Sequence, residues 1–284
     1  VEAYMQRTIH LMTLMTLAFL CFPTNKKWSA NKNAMIDVPL ALLSLGIGLY
    51  LFYHHGRIVG REWYYGPILD SDIVLGIMLL VMVLESARRV VGWALPIIAM
   101  VFLVYCLFGS YFPYPFTIRS PPPLILIDHM FMTPQAIFGV PTGVSATFVF
   151  LFILFGAFLE RTGGGQFIID FSMGLVGRAT GGPAKVAIVA STLFGTVSGH
   201  SVANVYGTGT FTIPLMKRMG YKAEFAGAVE AAASAGGQIM PPIMGAAAFI
   251  MAEILGVPYL EVCTAALLPA ILYYVAVFGS THVE

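Results

Sequence analysis

Between Gly195 and Gly209 the chain reads GTVSGHSVANVYGTG, which sets Ser198, His200, Ser201 and Asn204 inside a 31-residue run, Val186 to Met216, free of Asp, Glu, Lys and Arg. Oxygen-bearing side chains and loosened backbone carbonyls in apolar surroundings suit a hard cation such as sodium, and an exposed helix N-terminus suits an anion. Other chemistries fit the spacing poorly. No Cys, carboxylate or second His stands at metal-ligand spacing around His200, so a transition-metal centre is not expected. Gly195 precedes Ser198 by three residues where a nucleophile elbow needs two, and a histidine two residues away makes a poor base for a serine. No phosphate-cradling glycine loop ending in Lys-Ser/Thr occurs, so nucleotide hydrolysis is not expected either. The pattern is not that of an enzyme.

A second stretch, AAASAGGQIMPPIMGAAAF from Ala231 to Phe249, has the same grammar. Gly236 and Gly237 loosen a helix, Gln238 supplies an amide, and Pro241 and Pro242 remove two backbone donors in a row, freeing carbonyls around residues 237 and 238. A broken helix is expected here. In the first stretch Gly195, Gly199, Gly207, Gly209 and Pro214 are all candidate interruptions, giving two half-spans joined by a re-entrant tip. Irregular backbone at membrane depth is tolerated where it is buried in protein or lines a wet cavity. For each stretch a plainer reading stays open, a glycine-rich packing seam for the first and a kinked span for the second.

Charged side chains near apolar spans are functional suspects, because burying them is expensive. Glu85 lies at i,i+3 and i,i+4 from Arg88 and Arg89, so local neutralisation accounts for this trio. Glu230 and Glu253 are read as interfacial end-markers or as proton or ion sites. Cys21, Cys106 and Cys263 are odd in number and sit in or beside apolar segments, so they read as small hydrophobes rather than disulfide partners.

These groups need elements that hold them at membrane depth, and the composition supplies them. Of 284 residues 58% are hydrophobic and only 10% charged, against roughly 25% charged in a soluble domain. Mean hydropathy is +0.83. The fold class is all-α, a polytopic membrane protein with about eight apolar segments: Thr8–Phe22, Val38–Tyr53, Ser71–Leu84, Val90–Gly109, Ile137–Leu159, the Val186–Met216 region, Phe225–Ala252 and Val262–Gly279. Lys26, Lys27, Lys32, Arg88 and Arg89 place their loops on the cytoplasmic side, and alternation then puts ERTGGG, GRATGGPAK and KRMGYK there too. A net charge of +1 provides no basic field for nucleic acid. The lipid bilayer is the expected surrounding. The proline cluster Pro121–Pro123 and the polar Asp128, His129, Thr133 and Gln135 mark a boundary. The expected regions are residues 1–120, 121–136 as a linker or interfacial segment, and 137–284.

At the two broken stretches the sequence resembles a known family. GGPAKVAIVASTLFGTVSGHSVANVYGTGTFTIPLMKRMGY and EFAGAVEAAASAGGQIMPPIMGAAAFIMAEILGVPYLEV look like the large membrane subunit of tripartite ATP-independent periplasmic (TRAP) transporters of the fused, TAXI type. The likeness extends back through FGVPTGVSATFVFLFILFGAFLERTGGG and LESARRVVGWALP, and is weaker before Asp70. The resemblance implies a multi-pass permease of a bacterial or archaeal inner membrane, driving uptake of a small organic anion with a sodium gradient by an elevator movement. A soluble substrate-binding protein would feed it, and sodium would be the coupling ion, with no other cofactor. Residues 1–120 would be a small-subunit-like four-helix scaffold and 137–284 the first half of the large-subunit transport region. The second, inverted half is then expected on sequence beyond Glu284, as a missing partner without which no transport occurs.

Carried over residue by residue, the ion-binding set is Ser198, Gly199, Ser201, Asn204, Gly236, Gly237 and Pro242, acting mainly through backbone carbonyls and hydroxyls. His200, Thr208, Gln238 and Met240 are the substrate-path candidates. The family commonly has serine where this chain has His200. Two rival functions share the pattern: an ion-coupled carrier that needs no binding protein, and a non-transporting helix-packing or assembly module.

Overall fold

A computed structural model describes residues 2–283 of the chain, without the side chains of 160 and 283. Val1 and Glu284, the outer ends of the expected regions, lie outside the described residues, as does the side chain of Glu160 in the ERTGGG loop. The described residues are helical with connecting turns and no strands. They form two compact units, Val1–Ala146 and Thr147–Glu284.

The first unit contains α1 (Ala3–Cys21), α2 (Ala30–Tyr53), the short α3 (His55–Gly60), α4 (Asp70–Val90), α5 (Ala94–Phe108), α6 (Pro123–Phe131) and α7 (Val140–Val144). Met12, Met15, Phe19, Ile47, Leu79 and Phe131 form its apolar centre. Its buried carboxylates are each paired with an arginine. Arg57 donates to both oxygens of the buried Asp72 at 2.8 and 2.7 Å, and Arg61 to both oxygens of the buried Asp128 at 2.7 and 2.8 Å. The expected Glu85 pairs form, and Arg89 adds Asp37 at 2.7 Å and the Thr24 hydroxyl at 2.7 Å. Residues 121–136, read from sequence as a linker, contribute α6, whose Asp128 and Phe131 are buried in this unit.

The second unit contains α8 (Phe150–Arg161), α9 (Gly164–Val176), α10 (Gly182–Ser198), α11 (Ser201–Arg218), α12 (Ala223–Gly236), α13 (Ala246–Leu255) and α14 (Tyr259–Val283). Its core is built by α10, α11 and α12, with Ala184, Ala187, Ala226 and Ala233 letting the backbones approach and Ile188 and Met216 filling between them. Between α7 and α8 the chain makes a π-helical turn, Ser145–Val149, within the stretch expected as one plain span.

Among the described residues four helical stretches are long and apolar enough to cross a membrane: Ala30–Tyr53, Ala94–Tyr111, Val140–Leu159 and Tyr259–His282. The other expected segments fall short of that standard for identifiable reasons. Gln6, Arg7 and His10 make the start of α1 polar, and α4 carries Asp70, Asp72, Glu85, Arg88 and Arg89. The helices α12 and α13 are cut short by glycines at their ends. Of the five interruptions expected between Val186 and Met216, one occurs: Gly195, Gly207, Gly209 and Pro214 remain inside helices, and the chain breaks at Gly199–His200. The helical glycines serve close approach instead. A Cβ on Gly195 would stand 2.6 Å from the Gly237 Cα, and one on Gly207 2.6 Å from the Phe194 ring.

Candidate functional site

Two helix breaks meet in the second unit. The first ends α10 at Gly199, whose φ of 59° is the left-handed conformation, and His200 then runs extended into α11. A side chain at Gly199 would be strained by that φ and would overlap the Met244 carbonyl oxygen. The second break runs from Gly237 to Gly245, between α12 and α13, and holds Pro241 and Pro242. After the helix ends at Gly236 the two prolines, with no N–H to donate, keep it from resuming across the break.

Backbone and side-chain bonds hold the breaks together. The Ile243 N–H donates to the Thr196 carbonyl at 3.3 Å, tying the second break to the last turn of α10. Inside the second break the Gly245 N–H donates to the Gln238 carbonyl at 2.7 Å. The Gln238 amide donates to the Ser201 hydroxyl at 3.0 Å, joining the first turn of α11 to the opposite break. Next to this junction Gly195 and Gly237 cross so closely that a Cβ on either would collide with the other's Cα. Asn204, fully buried, braces the crossing: its amide donates to the Ser191 carbonyl at 2.8 Å.

Oxygens gather where the breaks face each other. The Ser198 hydroxyl oxygen is buried and has no hydrogen-bond partner. The Gly199 and Gln238 carbonyl oxygens both face Gly245, at 3.6 and 3.5 Å from where its Cβ would lie. A buried hydroxyl without a partner costs about 1–3 kcal/mol, so the Ser198 oxygen, in the residue before Gly199, is open to a donor or a cation. The residues present fit a hard monovalent cation, which needs oxygen ligands and no particular charge.

The structure brings Ser198, Gly199, Ser201, Gly237 and Gln238 to this junction, whereas Gly236, the last residue of α12, lies against Tyr273 and Tyr274 of α14. Pro242 is exposed on the second break, and its carbonyl accepts from the Tyr259 hydroxyl at 2.9 Å. Asn204 sits one turn in from the tip, with its amide already committed to Ser191. His200 is exposed at the start of α11. Thr208 and Met240 are elsewhere. Thr208 is fully buried among hydroxyls between α11 and α12, and Met240 lines an apolar groove with Lys185, Tyr274 and His282. Glu253 is exposed on α13.

Glu230 is the residue whose environment the sequence left open. It is fully buried, not at an interface, and hydroxyls surround it: Ser191 at 3.0 Å, Thr208 at 2.5 Å, Ser234 at 3.1 Å and Thr212 at 2.5 Å. The signal was there in the spacing, since Thr208–Thr212 and Glu230–Ser234 are i,i+4 pairs that each put two oxygens on one helix face.

Comparison with known proteins follows from this helical, junction-centred unit. Residues 78–284 match the family described as the tripartite ATP-independent periplasmic transporter, DctM component. The chain belongs to this family. A C4-dicarboxylate TRAP transporter large permease protein of Pseudomonas aeruginosa is 37% identical over 91 residues, 32% of this chain and 21% of the relative. A sialic acid TRAP transporter large permease protein of Vibrio cholerae is 36% identical over 91 residues, again 32% and 21%. An isethionate TRAP transporter permease protein of Oleidesulfovibrio alaskensis is 34% identical over 91 residues, 32% of this chain and 14% of the relative. The aligned part thus spans 21% of the length of the first two relatives and 14% of the third. They are permeases, not enzymes. The TRAP permease family is one of multi-pass inner-membrane proteins, and the four membrane-length helices of this member agree with that location.

Proposed function

We propose that the chain is part of the permease of a TRAP secondary transporter, which carries a small organic anion across the inner membrane in exchange for the free energy of a sodium gradient. The observation that carries this reading is the Ser198 hydroxyl, buried and without a hydrogen-bond partner in the last turn of α10, which the Ile243 N–H ties to the second break. In the account, sodium sits at the junction and takes oxygens from Ser198, Ser201 and the Gly199, Gly236, Gly237 and Pro242 segment backbones, while Asn204 braces the crossing. Sodium replaces the missing partner of Ser198 and couples α10–α11 to α12–α13, so ion occupancy sets how firmly the two breaks are joined.

His200 and Gln238, exposed beside the junction, are proposed to face the substrate. Thr208 and Met240 are not included, because the structure gives them other neighbours. A soluble substrate-binding protein is the proposed partner, and an elevator movement with α10–α11 as a re-entrant hairpin is the proposed mechanism. A TAXI-type fused arrangement, with residues 1–120 as the small-subunit-like part and 137–284 as the first half of the large-subunit region, is the proposed organisation.

The test is uptake by the intact permease in proteoliposomes with its binding protein, using a C4-dicarboxylate, sialic acid and isethionate as trial solutes. An inward sodium gradient is expected to drive uptake of an organic acid, and Ser198→Ala or Ser201→Ala to raise the half-saturating sodium concentration about tenfold, the equivalent of about 1.4 kcal/mol. Uptake with unchanged sodium dependence in both variants would refute the site. Uptake without any binding protein would favour the carrier reading. The tight Gly195–Gly237 crossing supports a packing role for the same residues, and in that case the variants would alter assembly and leave ion dependence alone.

A further inference from the structure

The described residues bury four carboxylates, and three of them are paired with arginine: Asp37 with Arg89, Asp72 with Arg57 and Asp128 with Arg61. Glu230 is fully buried and is in no ion pair among the described residues. The helices packed against α12 offer it no close counter-charge. On α10 the charged residue is Lys185, which lies against His282 and the Phe278 ring; on α11 they are Lys217 and Arg218 in the last turn. On α14 the titratable groups are Tyr259, Glu261, Cys263, Tyr273, Tyr274 and His282, with the Tyr273 and Tyr274 hydroxyls donating to the Ala232 and Ala233 carbonyls and that of Tyr259 to the Pro242 carbonyl. On α12 itself Glu224 stands in the first turn. A carboxylate without a cation is costly to bury, so its hydroxyl cage calls for an explanation.

That cage is satisfied in either charge state. With Glu230 ionised, Ser191, Thr208 and Ser234 donate to Oε1 and Thr212 donates to Oε2. With a proton on Oε2, the carboxyl donates to the Thr212 oxygen, and the Thr212 hydroxyl turns to the Thr208 carbonyl, which is 3.0 Å away. Thr208 has the same alternative in the Asn204 carbonyl at 2.8 Å. A hydroxyl both donates and accepts, so rotation of two hydroxyls leaves no buried polar atom orphaned when the charge changes. Gly209 permits this closeness, since a Cβ there would stand 3.0 Å from the Glu230 Cγ.

We propose that Glu230 is a reversible proton-binding site, distinct from the junction of the two breaks, which takes one proton from water onto Oε2 and returns it. The proton neutralises the carboxylate and needs no other reactant. Through Thr208 and Ser191 the site touches Asn204, the residue that braces the crossing, so proton occupancy and the geometry of the junction share one hydrogen-bond network. Proton binding stands on this geometry alone; its use as a coupling ion rests on the transport reading.

The experiment is pH-difference infrared spectroscopy of the purified intact permease, with no solute present and protons as the probe, between an acidic and an alkaline buffer. The expected result is a protonated-carboxyl carbonyl band that appears on acidification, is lost in Glu230→Gln and moves in Glu230→Asp. Ser198→Ala is expected to leave the band in place, so failure of the sodium site and failure of the proton site are read separately. Should Glu230→Gln not fold, Thr212→Val, which removes the acceptor of the proposed proton, is expected to displace the band. A wild-type protein with no such band, or a band untouched by all three changes at 212 and 230, would overturn the proposal.

Discussion

Ser198 and Gly199 do different jobs in adjacent positions, one offering an oxygen and the other allowing the chain to turn. Gly199 combines a left-handed φ with contact against the Met244 carbonyl, so Gly199→Ala is expected to destabilise the protein by about 3 kcal/mol or more, read as a lowered unfolding midpoint in detergent. A midpoint within experimental error of wild type would mean the two breaks do not pack as described. Ser198, Ser201 and Gln238 were legible in the sequence because polar residues among glycines in an uncharged run have few other uses. Glu230 was legible only as a choice between end-marker and site. Its cage draws on Ser191, some forty residues earlier in the chain, and no local pattern connects the two.

Helices in the first unit are joined by charge as well as by apolar packing. Arg61 crosses from the α3–α4 connection to α6, and its removal would strand a carboxylate that is 1% exposed. Arg61→Ala is expected to cost about 3–5 kcal/mol, and Asp128→Asn in the same protein to recover much of it, as measured by a double-mutant cycle on thermal unfolding. Equal losses in single and double variants would show that the pair is not coupled. Beyond the apolar part of α4, the hydrogen bond from Arg88 and then that from Arg89 hold the Glu85 carboxyl below its ordinary 4.5. A depressed folded value adds stability that is present above that ordinary value and is lost as pH falls through the lower, folded one. Acid unfolding of Glu85→Gln should therefore be less steep than that of wild type below about pH 4.5, and identical steepness would discount the trio. Sequence spacing gave this trio directly, because i,i+3 and i,i+4 pairs are local. It overstated the breaks in α10–α11, because glycine permits both a turn and a close crossing, and only the partner helix shows which one a given glycine serves.

At the level of the whole molecule, apolar length was read from composition well enough to identify a helical membrane protein, and four of the expected segments stand among the described residues as helices of membrane-crossing length and composition. Half of the expected segments are shortened by caps or carry charges that find partners within the fold, as in α4. Family membership over residues 78–284 accounts for the density of small residues in the second unit, where α10, α11 and α12 cross closely enough to bury Asn204, Thr208 and Glu230. Sodium binding at the junction of the two breaks is the premise on which the proposed transport function stands. The most direct measurement is thermal unfolding of the purified intact permease in sodium chloride against choline chloride at equal ionic strength, without solute. A ligand at 100 times its Kd stabilises by about 2.7 kcal/mol, so sodium should raise the wild-type midpoint by several degrees and do so far less in Ser198→Ala. Equal midpoints in the two salts for wild type, or an undiminished sodium effect in Ser198→Ala, would contradict it.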